Sequence, residues 1–159
     1  MHNYFCLFQK KYKPTATIRR IMKRLILACL CATLLLNVTA FAQNLEEGKQ
    51  HLFAMRSASA IAHFEKLHAA APTNPEIIYW LGQSYLESEE SMTERLAQAR
   101  KVYAAGLTAT SDAPLVKVGM GHVELLSGQT ESARQHFESA LVATQDRKGN
   151  NNPQIAFAI

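Results

Sequence analysis

The chain has 159 residues, of which 48% are apolar, enough for one ordinary domain or a short repeat array and too apolar for an intrinsically disordered segment. Its net charge of +4 is no sign of a nucleic-acid surface: 7 of the 17 basic residues and none of the 13 acidic ones precede residue 43, leaving 10 against 13, or −3, for the rest. The three cysteines, Cys6, Cys29 and Cys31, also lie in that leading segment, which excludes disulfides, thiol redox pairs and cysteine zinc sites from residues 43–159.

Residues 25–42, LILACLCATLLLNVTAFA, carry no charged side chain and follow directly on Met22-Lys23-Arg24. A basic region, an apolar run and a small-x-small ending at Ala40 and Ala42 are the three parts of a secretory signal peptide. Residues 1–42 are therefore expected to be a signal peptide with an extended basic n-region, cleaved between Ala42 and Gln43, with Met22 as an alternative start. The protein is expected to be exported, to a periplasm in the first instance. Uncleaved, residues 25–42 are long enough to anchor the chain in a membrane. A lipid anchor at Cys29 is disfavoured because too few apolar residues separate it from Arg24. The basic and aromatic residues before Met22 are read as part of this targeting segment and not as a nucleic-acid arm.

Beyond it, helix signals follow one another and no strand-length alternation of apolar and polar residues occurs. Asn74-Pro75-Glu76 supplies a cap, a proline for the first turn and an acid at the positive helix end, predicting a helix to about Glu87. Ser91 with Glu94 forms a capping box opening a helix through Leu107. Pro114 starts another, Ser127-Gly128-Gln129 turns the chain, and Thr130 is expected to cap a helix to about Val142.

Small and large residues recur in step along this helical region. Ala60 and Phe64 follow Gly48 by 12 and 16 residues, and Ala133, Phe137 and Ala140 follow Gly121 by 12, 16 and 19. Gly82 lies 34 residues after Gly48, directly after Leu81 and three residues before Tyr85. Ala99, Tyr103 and Gly106 follow Gly82 by 17, 21 and 24, each five longer, with the additional residues falling around Glu87 to Thr93. This pattern resembles the tetratricopeptide repeat family. The resemblance implies an all-α fold, an α-solenoid of antiparallel helix hairpins, with units at about 43–74, 75–113 and 114–152. Glycine or alanine lets paired helices approach closely while Phe64, Tyr103 or Phe137 fills the space beside it. A single hairpin cannot bury its apolar face, so hairpins must stack.

Asn152-Pro153-Gln154-Ile155 repeats the type of Asn74-Pro75-Glu76-Ile77. Residues 153–159 are expected to open a fourth unit, making the chain an N-terminal fragment of a longer protein. The alternative is a natural terminus whose short helix caps the stack.

Residues 43–159 contain no HExxH, phosphate-binding glycine loop or G-x-S-x-G. His63 and His68 are five residues apart, about 140° around a helix, and make a poor ligand pair, while His51, His122 and His136 read as solitary. Glu87, Glu89 and Glu90 read as a solvated loop. No catalytic residue, metal or cofactor is therefore expected, and the chain is read as a non-enzyme. In tetratricopeptide arrays the first helix of each unit lines a concave groove. The resemblance implies that Lys49, Phe53, Tyr79, Gln83, Glu87, Val118, His122, Leu126 and Phe157 face it. This mixture suits an extended peptide or amphipathic helix of another protein and lacks the lysine and asparagine set of the carboxylate-clamp subclass. The expected function is a protein-protein interaction scaffold in the cell envelope, with no nucleic-acid partner and with membrane contact only through the signal segment. The alternative is an accessory repeat domain of a larger exported enzyme or redox protein whose catalytic part lies beyond residue 159.

Overall fold

The computed structural model describes residues 44–146 and 149–159, and all regular structure among them is α-helical. The expected signal segment, its cleavage site at Ala40, Ala42 and Gln43, and the alternative start Met22 lie outside the described residues. No helix among the described residues is long and apolar enough to cross a membrane.

Helix α1 covers residues 44–53 and buries Leu45, Gly48 and Leu52, a spacing of three and four that puts one stripe inward. It ends on Met55 in the left-handed region, φ 58°. There the Arg56 N–H bonds to the His51 carbonyl and the Met55 N–H to the Leu52 carbonyl, both at 2.9 Å. This is a Schellman ending formed without glycine. Helix α2 follows at once, Ser57–Ala70, burying Ser57, Ala60 and Phe64.

Helix α3, Pro75–Leu86, begins as the sequence predicts: the Asn74 side chain accepts from the N–H groups of Glu76 and Ile77 and Pro75 occupies the first turn. It is buried on most of its circumference, at Ile77, Ile78, Tyr79, Leu81, Gly82, Ser84 and Leu86, because α2, α4 and α5 all pack against it. Helix α4, Met92–Ala109, is capped by the Ser91 side chain, which accepts from the Glu94 N–H. Helix α5 spans Pro114–Leu126. Helix α6 spans Thr130–Thr144, and here the expected cap is corrected: Gln129 is the cap residue, no side chain bonds the first turn, and Thr130 is already helical. The chain is turned instead by Gly128 at φ 78°, with the Gln129 N–H returning to the Glu124 carbonyl at 2.8 Å. Helix α7, Pro153–Ala158, is capped by Asn152 just as α3 is by Asn74, with 2.9 and 3.4 Å bonds at both caps.

Packing is between chain neighbours and between alternate helices. Helix α5 meets α3, α4, α6 and α7, so that α3, α5 and α7 adjoin in turn. The closest approaches occur at glycines. A Cβ on Gly48 would lie 2.6 Å from the Phe64 ring, one on Gly82 2.1 Å from the Tyr103 ring, and one on Gly121 2.5 Å from the Phe137 ring. Tyr103 is also pressed on its α5 side by Gly119, where the equivalent distance is 2.3 Å, and Gly106 receives Ile78 at 2.5 Å. Ala60, Ala99, Ala133 and Ala140 are all buried and complete these seams. Tyr85 is half-buried and its hydroxyl donates to Glu65 of α2 at 2.7 Å. One core cluster gathers Ile78, Leu86, Ala99, Tyr103, Val116, Met120 and Val123, and a second gathers Tyr79, Leu115, Val118, Ala140 and Ile155. Each large side chain so buried contributes roughly 1.5–3 kcal/mol relative to exposure.

Candidate partner-binding face

Along α3 and its C-cap, Glu76, Tyr79 or Trp80, Gln83 and Glu87 recur at intervals of three and four, which is one side of a helix. Around them α1, α5 and α6 contribute rings to an edge-to-face series. Phe53 meets Trp80 at 6.0 Å between centroids, Trp80 meets Tyr79 at 5.3 Å, Tyr79 meets His122 at 6.4 Å, and His122 meets Phe137 at 5.6 Å. Most are steep or perpendicular, the arrangement that aligns ring edges with the electron-rich faces. Lys49 is held over this series, with its ammonium 5.1 Å from the Trp80 ring centre and 3.1 Å from Glu76 Oε1. Tryptophan binds a cation through its face while the carboxylate pairs with it.

A buried polar chain fixes the middle of the face. The Gln83 side-chain amide donates both to the Tyr103 hydroxyl and to His122 Nδ1, each at 3.0 Å. The Tyr103 hydroxyl in turn donates to the Tyr79 carbonyl at 3.0 Å. His122 therefore accepts through Nδ1, and burial lowers its pKa, opposed in part by a backbone hydrogen bond to Ala158. Burial likewise raises the pKa of Tyr79 and, more strongly, of Tyr103. The network is a neutral one.

Two hollows open along these residues. One, about 270 Å³, is lined by Lys49, Glu76, Tyr79, Trp80 and Phe157, and the other, about 370 Å³, by Gln83, Glu87, His122, Leu126 and Ile159. Of the residues expected on the groove, Lys49, Tyr79 and Phe157 thus line the first hollow and Gln83, Glu87, His122 and Leu126 the second. Phe53 stands at the edge, 70% exposed, and Phe157 is 94% exposed. Val118 does not belong with them. It is fully buried among Tyr79, Leu115, Ala140 and Ile155, which come from α3, α5, α6 and α7.

Trp80 and Glu76 were not among the groove expectations, although their three-and-four spacing with Tyr79 and Gln83 makes them readable as the same helix side. The histidines are less solitary than their sequence spacing implies: His136 lies 3.5 Å from Glu124, His122 joins the polar chain, and His51 faces His63 at 6.1 Å. No protein-family model matches the chain, and neither a curated protein nor a solved structure is significantly similar to it.

Proposed function

We propose that the described region is a tetratricopeptide-like solenoid of an exported protein, and that the face carried by α1, α3, α5 and α7 binds a peptide or helix of another protein without catalysis. The single observation that carries this reading is the ring series from Phe53 through Trp80 and Tyr79 to His122, bordered by Phe157. Its inner members are held rigidly by packing and hydrogen bonds, while its outer members, Phe53 and Phe157, are left to solvent. Rigid aromatic anchors with exposed apolar neighbours are the composition of binding hot spots. The repeated seating of an aromatic ring on a glycine, in three successive helix pairs, supports the solenoid part of the reading. Export rests on the order of basic, apolar and small residues in 1–42.

Placing a photo-crosslinking phenylalanine analogue at Phe53 and at Phe157, in the protein expressed from its own gene in its native cell, tests the proposal. Both positions should yield the same adduct, and the same analogue at Glu138, on the exposed side of α6, should yield none. Adducts from Glu138 alone, or none from any position, would contradict it.

A further inference from the structure

Helices α1 and α2 bring together three side chains that no part of the binding face uses. Glu47 and His51 are four residues apart on α1 and so share one side of the helix. Across from them is His63 of α2, placed there because its neighbour Phe64 seats on Gly48. One ligand atom from each of Glu47, His51 and His63 lies within 4.8 Å of the other two.

Two further features bear on this cluster. The Nδ1 atom of His51 is buried without a hydrogen-bond partner, a condition that folded proteins rarely tolerate unless a bound species satisfies the atom. His63 Nε2 lies 2.6 Å from the Asn44 carbonyl. A carbonyl only accepts, so Nε2 carries the proton and the ring keeps its lone pair at Nδ1. That bond fixes the His63 ring against the start of α1.

We propose that Glu47, His51 and His63 form a binding site for a divalent transition-metal ion of the zinc class that ties α1 to α2. Two imidazoles and one carboxylate favour zinc, copper or nickel over calcium and magnesium, which take oxygen ligands. Donor-to-metal distances of about 2.0–2.2 Å require the three donors to close from their present limit. Glu47 is exposed and closes by swinging inward, while the two half-buried imidazoles close by side-chain rotation. Three protein ligands leave a fourth position for water. The clip is worth most at this end of the array, where α1 is the outermost helix of the described region.

Isothermal titration of zinc chloride into the full-length protein, carrying no polyhistidine tag and with its cysteines alkylated, tests the site. The expected result is one ion bound per chain with micromolar or tighter affinity, accompanied by a higher melting temperature, since a ligand of the folded state stabilises it. His51→Ala and His63→Ala should each weaken binding by about tenfold or more, and His136→Gln, outside the cluster, should leave it unchanged. Should a histidine variant fail to fold by far-ultraviolet circular dichroism, Glu47→Gln decides the matter, because its exposed side chain fills no core: weaker binding supports the site. Absence of stoichiometric binding by the unaltered protein, or affinity untouched by these substitutions, would overturn it.

Discussion

The hydroxyl of Tyr103 donates across a helix boundary to the backbone carbonyl of Tyr79, at 3.0 Å in a fully buried position. It also accepts from Gln83, so one oxygen links α4 to the middle of α3. Tyr103→Phe removes both bonds and leaves the Gln83 amide with His122 alone. The expected loss is about 1–2 kcal/mol, read as a lower urea midpoint with unchanged slope.

Phe157 and Phe53 stand largely in water, and the proposed function assigns them to a partner and not to the core. Phe157→Ala should leave unfolding within about 0.5 kcal/mol of the parent, and Phe53→Ala should lose little more than its edge contact with Trp80. Both should nevertheless abolish the crosslinked adduct formed through the other position. A large fall in melting temperature would reassign these rings to folding.

Acid should weaken the fold through His122. Burial puts its folded pKa below the ordinary 6.5, so between the two values the unfolded chain holds a proton that the folded chain does not. Stability is complete above about pH 6.5, falls as the pH drops towards the folded value, and levels off below it. His122→Gln should flatten that part of the profile, measured as the urea midpoint against pH.

Alkali should weaken it through the tyrosines. Tyr85 is pushed up to about 12, by burial first and then by the neighbouring Glu65, and Tyr79 and Tyr103 are raised by burial. Each folded phenol keeps its proton where the unfolded one would lose it, so stability is full below about pH 10 and falls above it. Ultraviolet difference absorbance should show the phenol of Tyr103 ionising only together with unfolding.

The helices were legible in the sequence wherever local chemistry sets them. Asn74-Pro75 and Ser91 fix their helix starts within a few residues, and those starts are found at Pro75 and Met92. Thr130 misled because Gly128, through its left-handed turn, moves the start one residue earlier in role. On the face, Tyr79, Gln83 and His122 were expected only through the family resemblance and not from local chemistry. The burial of Val118 was not legible either, since it rests on Tyr79, Ala140 and Ile155 of three other helices. The meeting of His51 with His63 was equally hidden: it follows from the seating of Phe64 on Gly48, which sets the register of α1 against α2.

That seating is the central claim, and its most direct test is a double-mutant cycle at Gly82 and Tyr103. A Cβ at Gly82 would lie 2.1 Å from Tyr103 Cζ, while the same ring is pressed from α5 by Gly119 and cannot retreat. Gly82→Ala should therefore destabilise, because overpacking of about 1–3 kcal/mol exceeds the gain of up to about 1 kcal/mol in helix propensity. In a Tyr103→Leu background that penalty should disappear, giving a coupling of about 1 kcal/mol or more. An equal cost of Gly82→Ala in both backgrounds would contradict the account.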